Sequence, residues 1–327
     1  MAYFYDYLLF AAKFLTAVSL LSLPLILLLA LRQLRRSGDE SALEITNLND
    51  RARDHGLALE AALLGEKNLK QRLKEEEQSR KKRAKDGVPG ARSFVCRFSG
   101  DLHASAVEQL REEITAVLAV AAAEDEIILV LESGGGTVHD YGFAASQLRR
   151  VRDRGIHLKV VVDRIAASGG YMMACIADEL IAAPFAIIGS IGVVAQLPNF
   201  HRLLRRHDID FEQVTAGKHK RTLTLFGENT DEGRAKFQEE LNDAHALFKE
   251  FVAMHRPQVD LQLVATGQWW FASRALSLGL LDRLATSDEV VQEAMKERPV
   301  YEIRLQQKAS MLTRWKNALG GLIRLLR

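Results

Sequence analysis

Three short stretches carry side chains whose type and spacing suit covalent chemistry. They are Glu132-Ser133-Gly134-Gly135-Gly136, Ala166-Ala167-Ser168-Gly169-Gly170 and the basic run Lys218-His219-Lys220-Arg221. Consecutive glycines let backbone amides turn inward and approach a ligand closely. A phosphate cradle is one use, but neither GxxxxGK[ST] nor GxGxxG occurs here. An oxyanion hole is the other, and it needs a nucleophile beside it. Ser168 stands in that position, flanked by small residues and followed by a helical stretch whose free N–H groups would face it. A serine before a helix is most often an N-cap, so this motif alone does not make a nucleophile. Ala166–Gly170 also resembles a G-x-S-x-G elbow with alanine at the first position, which would call for a histidine base late in the chain. His245 and His255 fall inside a charged helical stretch, a poor place for one. Lys220 is the preferred base. A lysine accepts a proton only where its neutral form is favoured, and Lys218 and Arg221 supply neighbouring cations. The plain alternative for the same run is a solvated basic loop. Ser190, in Gly189-Ser190-Ile191-Gly192, reads on its own as a turn residue.

The elements that must position these residues alternate in period. Phe94–Phe98, Glu126–Glu132, Leu158–Val162 and Glu179–Ala183 are apolar runs of strand length. Between and after them lie helical stretches at Ala104–Ala122, Tyr141–Arg154 and Asp231–His255. Strands alternating with helices predict an α/β domain with largely parallel pairing. In such folds the loops at the carboxyl ends of the strands carry the chemistry, and both glycine loops come directly after strands. The two cysteines, Cys96 and Cys175, lack metal-ligand spacing and lie in apolar runs, where buried free thiols are the usual occupants. No metal and no cofactor is expected. A net charge of +2 gives no global argument for nucleic acid as a partner.

The ends differ from this body. Phe14–Leu31 carries no charge and is of bilayer-crossing length, with aromatic residues before it and Arg32, Arg35 and Arg36 after it. A cleavable signal peptide would put its basic residues first, so a retained transmembrane anchor is expected. The arginines favour a cytoplasmic location for the rest of the chain. Glu40–Lys85 reads as a charged helical stalk, ended by Asp86-Gly87-Val88-Pro89-Gly90. Residues 310–327 read as a basic amphipathic helix, suited to a lipid surface, a partner groove or its own domain. The expected domains are therefore an anchor at 1–36, a stalk and linker at 37–90, a catalytic domain at 91–306 and an amphipathic helix at 307–327.

Taken in order, Ala166-Ala167-Ser168-Gly169-Gly170-Tyr171-Met172-Met173-Ala174, Gly189-Ser190-Ile191-Gly192-Val193 and Ala216-Gly217-Lys218-His219-Lys220-Arg221 resemble the S49 family of membrane serine peptidases, and the resemblance spans nearly the whole chain. It implies a ClpP/crotonase-like fold of stacked β-β-α units and a Ser–Lys dyad of Ser168 and Lys220. It also implies that Ser190 orients the lysine, and that Gly169 and Gly135 hold the oxyanion. The family commonly has proline where this chain has Gly134, which leaves that loop less preordered and the second donor open between Gly135 and Gly136. The resemblance further implies peptide or membrane-protein substrates, a homo-oligomer, and the bacterial cytoplasmic (inner) membrane with the active site outside, against the charge bias after Leu31. A crotonase-like acyl-CoA enzyme and a non-catalytic membrane scaffold are the alternatives on the same fold.

Overall fold

Four apolar strands lie side by side because each alternates its side chains between two covered faces. They are β2 (Ser93–Gly100), β3 (Glu126–Ser133), β4 (His157–Val162) and β6 (Glu179–Ala182), all paired in parallel. The computed structural model describes residues 42–63, 72–78 and 90–306, with Phe4, Leu9, Phe10, Lys13 and Thr16 besides. Phe94, Cys96 and Phe98, Ile127, Leu129 and Leu131, and Leu158, Val160 and Val162 point to one side, into the larger core. Val95, Ile128, Val161 and Ile181 point to the other, into a smaller one. This is the period-2 pattern of a sheet buried on both faces. Full burial of each such side chain contributes about 1.5–3 kcal/mol.

Helices α2 (Val107–Val120), α3 (Val138–Asp153) and α4 (Gly169–Ala174) cover the larger core, joined by Phe248 and Val252 of α6 (Asp231–His255). Helix α9 (Ser287–Glu297) covers the smaller core, together with Leu48 at the start of α1 (Leu48–Leu63). Three short helices are α5 (His201–Arg206), α7 (Leu261–Val264) and α8 (Ala272–Ala275). Cys96 and Cys175 are buried free thiols in the larger core. Burial pushes both up, Cys175 to about 12, so they stay protonated and inert.

The main run of strands is β1-β10-β2-β3-β4-β6-β9, with β1 at Ala42–Asn47, β10 at Val300–Gln306 and β9 at Arg283–Leu284. A second path branches from β3: β5 (Ile165–Ala167) pairs with β3 and β7 (Ile187–Gly189), and β8 (Trp269–Phe271) pairs antiparallel with β7. Ala42–Asn47 lies within the stretch expected to be helical stalk, yet it forms a strand. Asn49 ties that region down, accepting from Val300 N–H at 2.8 Å and donating to the Met295 carbonyl at 2.9 Å. Among the described residues no helix is long and apolar enough to cross a membrane. The expected anchor, apart from Lys13, Thr16 and a few earlier residues, and the amphipathic helix at 307–327 lie outside the described residues.

Candidate active site

The branch from β3 brings three chain segments to one place. Ser133 at the end of β3 pairs with Ala166 of β5, and Ala167 of β5 pairs with Gly189 of β7. All three strands run in parallel, so Gly134–Gly136, Ser168 and Ser190 emerge side by side at their carboxyl ends. Ser168 N–H donates to the Gly189 carbonyl at 2.8 Å, and the Ser168 carbonyl accepts from Met172 N–H at 2.9 Å. Between these anchors the serine is held at φ 52° and ψ −119°, a conformation that non-glycine residues rarely adopt. Its side chain caps no amide of α4. The N-cap reading therefore does not describe it: the strained backbone holds a partly buried hydroxyl that is spent on no helix amide. Helix α4 has only six residues, so its first N–H groups matter more here than any long dipole.

Two glycines allow the loops to close on this serine. Gly135 sits at φ +89°, and a Cβ there would lie 2.8 Å from Ser168 Cβ and 2.7 Å from Gly169 N. A Cβ on Gly169 would lie 2.4 Å from the ring of Tyr141. The first substitution would push the two loops apart, and the second would push the start of α4 off Tyr141. The Gly135 N–H donates to Ser133 Oγ at 3.1 Å. Among the described residues no acceptor takes the N–H of Gly136 or Gly169.

Ser190 also has a positive φ, 53°, and its N–H donates to the Gln268 carbonyl at 2.7 Å, which fixes the turn out of β7. Beyond it the chain forms an arm over residues 192–230 that contains α5 and no strand. β8 already occupies the second edge of β7, so the arm leaves the sheet and no strand precedes the lysine motif among the described residues. The arm is folded on itself: Phe226 packs against Phe200 and Phe211, and Asn199 donates to the carbonyls of Thr224 and Gly227 at 2.9 and 3.0 Å. Lys220 is exposed on a turn closed by its N–H to the Gly217 carbonyl at 3.2 Å. Lys218 pairs instead with Glu232 at 3.0 Å and holds that carboxyl below its ordinary range. A cavity of about 400 Å³ opens between the arm and the start of α6, lined among others by Phe211, Lys218, His219 and Glu232; it is not the space around Ser168. The structure thus brings together Ser168, Gly169, Gly135, Gly136 and Ser190. It leaves Lys220 on the arm, with no hydrogen bond or ion pair to Ser168 or Ser190 among the described residues.

The histidines fall as the sequence suggests. His245 and His255 lie inside α6, and His255 packs on Phe251 with ring centroids 4.7 Å apart. Burial, with Arg152 and Arg149 nearby, lowers the His255 pKa and keeps it neutral. Spacing gives no hint of the His103–Asp140 pair, 3.5 Å apart, or of the role of Tyr141. Tyr141 reads in the sequence as one more large residue of a helix. In the structure it is fully buried between the two glycine loops.

Comparison with known proteins agrees along the chain. The profile of peptidase family S49 matches residues 150–301, and that of the family's N-terminal region matches 2–148. A protein of Haemophilus influenzae named "Probable protease SohB" is 45% identical over 318 residues, 94% of this chain and 90% of that one. A protein of the same name from Buchnera aphidicola subsp. Acyrthosiphon pisum is 53% identical over 222 residues, 68% of this chain and 66% of its own.

Proposed function

We infer that this chain, a serine protease that belongs to peptidase family S49, cleaves peptide bonds with Ser168 as nucleophile and Lys220 as general base. The observation that carries the serine is its backbone: positive φ, a hydroxyl spent on no helix amide, and two glycine loops packed against it. The ClpP/crotonase type of fold is the reading that best accommodates the second path of short strands, β5, β7 and β8, beside the main sheet.

In this mechanism Ser168 Oγ attacks the scissile carbonyl while its proton passes to the neutral amine of Lys220. Negative charge on the former carbonyl oxygen is met by the Gly169 N–H and by an N–H of the Gly135–Gly136 segment. The lysine, now an ammonium, returns the proton to the leaving amine, and water then releases the acyl group by the same route. Ser190, one residue past the strand that pairs with Ala167, orients the lysine. The exposed position of Lys220 requires the arm to be fixed over the site. The arm's own surface supports assembly of like chains as what fixes it: Val194 is 80% exposed and Val214 95%, with Leu203 and Ile209 also largely in water. Such apolar surface is characteristic of a contact. The uncharged run Phe14–Leu31 supports anchorage in the cytoplasmic membrane, with unfolded segments or membrane proteins as substrates.

Hydrolysis of a fluorescent casein by the full-length chain tests this assignment. Ser168→Ala and Lys220→Ala should each abolish it, with no further loss in the double variant. His103→Ala, which breaks the His–Asp pair, should retain most activity. A folded Lys220→Ala protein that cleaves at the wild-type rate would remove lysine from the mechanism.

A further inference from the structure

Beneath the two glycine loops runs one chain of hydrogen bonds whose direction is fixed by its ends. The Tyr141 hydroxyl donates to the Asp101 carbonyl at 2.7 Å. A phenol has a single proton, so at its short contact with Ser133 Oγ the tyrosine oxygen accepts and the serine donates. Ser133 Oγ in turn accepts from the Gly135 N–H at 3.1 Å. The order of donors is therefore Gly135 N–H to Ser133 O–H to Tyr141 O–H to Asp101 C=O. Ser133 and Tyr141 are buried, at 2% and 0% exposure, so water does not compete for these bonds. Burial also raises the phenol's pKa, which keeps it a donor.

The same tyrosine touches both halves of the site. Its ring lies where a Cβ of Gly169 would be, and its hydroxyl lies where a Cβ of Gly100 would be, 2.4 Å away in each case. Gly100 ends β2 directly beside Ser133, which ends β3. Gly170 rests on the Ser133 carbonyl, 2.4 Å from the position of its own Cβ. The residue after the nucleophile and the loop opposite it are thus spaced by one rigid side chain, and the tilt of the Gly134–Gly135 peptide is set by the serine that this side chain holds.

We infer that Tyr141, acting through Ser133, is a positioning residue for peptide hydrolysis: by holding the Gly135 N–H on Ser133 it leaves the Gly136 N–H, with the Gly169 N–H, as the oxyanion donors and fixes them before the substrate arrives. The inference rests on Ser168 being the nucleophile. Both residues are buried, out of reach of a substrate at the surface. Their effect falls on the transition state, where the oxyanion forms, and not on the binding of the ground-state peptide. Gly134 does nothing to stiffen the turn, and the hydrogen-bonded serine and tyrosine take on that task.

The test uses the full-length chain with active sites titrated by a fluorophosphonate. Tyr141→Phe keeps the ring under Gly169 and deletes only the hydroxyl; Ser133→Ala deletes the other link. Removal of an oxyanion donor costs about 100- to 1,000-fold in kcat, and a loosened donor should cost at least about tenfold. The expected result for each variant is a loss of that size in kcat per titrated site, with KM for casein unchanged. A peptidyl aldehyde should lose affinity by the same factor, and the double variant should be no worse than the poorer single one. If both variants label at Ser168 and retain wild-type kcat and aldehyde affinity per titrated site, the relay is only structural and the inference fails. If the fluorophosphonate modifies a residue other than Ser168 in the wild type, the nucleophile itself is wrong, and that outcome is separate.

Discussion

Gly135→Ala confronts the account with a single methyl group. The residue sits at φ +89°, where an L side chain costs about 1–2 kcal/mol. The new Cβ would stand 2.7 Å from Gly169 N, 2.8 Å from the Ala167 carbonyl oxygen and 2.8 Å from Ser168 Cβ. Two of those three atoms are backbone, which cannot rotate away, so overpacking adds about 1–3 kcal/mol. Moving the loop off the serine is the way to relieve that strain. The prediction is a loss of about 2–5 kcal/mol in urea denaturation if the loop stays, or a smaller loss if it moves. In the second case kcat falls by about 100-fold or more as the oxyanion donor is withdrawn. Gly142→Ala, in the interior of α3 with open space around its Cβ position, is the control. It should stabilise by about 0.5–1 kcal/mol and leave kcat alone. Activity is read on fluorescent casein and stability by fluorescence in urea. Wild-type stability and wild-type kcat together in Gly135→Ala would show that this loop does not pack on Ser168.

Buried charges give two more expected outcomes. Burial holds the Glu113 carboxyl above its ordinary 4.5, although the Leu305 N–H and Gln109 stabilise its charge, and its Oε2 has no hydrogen-bond partner among the described residues. Folding therefore takes up a proton at this site, a contribution that is full below the unfolded pKa and lost as pH rises through the folded one. Glu113→Gln, which cannot ionise, should gain on the wild type in urea midpoint as pH goes from about 4 to 7; an unchanged difference across that range would contradict the reading. Arg256 is 3% exposed and donates to both carboxylate oxygens of Asp282 at 2.8 Å. Asp282→Asn should cost about 3 kcal/mol in denaturation, with activity per titrated site retained, because it leaves the buried guanidinium without its counter-charge.

Much of the fold is legible in the chain because the relevant signals are local. The strands β2, β3, β4 and β6 appear as apolar runs since both faces of the sheet are covered, and α6 starts and ends at the residues its periodicity suggests. The glycine loops and Ser168 stand out because a turn, a helix start and a close backbone approach each demand small residues. The features that stay hidden depend on long-range pairing. β1 has no marked apolar run and is a strand because β10 offers an edge. β5, β7 and β8 have three residues each, too short for a period to show, yet they align Ser133, Ser168 and Ser190. Tyr141 gives only the signal of a core residue, since its hydroxyl partners Ser133 and Asp101 are fixed by the fold. The arm carrying Lys220 shows the reverse: its basic run is conspicuous in sequence, and nothing within the described residues draws it to the serine.

The dyad is tested most directly by the rate at which a fluorophosphonate phosphonylates the full-length protein, with loss of fluoride, measured against pH with the modified residue identified by mass spectrometry. A lysine base predicts a label on Ser168 alone, with a rate that rises as pH rises, since only the neutral amine accepts the serine proton. The same measurement on a folded Lys220→Ala variant should show the rate collapse at every pH. Labelling of Ser168 in that variant at the wild-type rate, with the same pH dependence, would contradict the dyad.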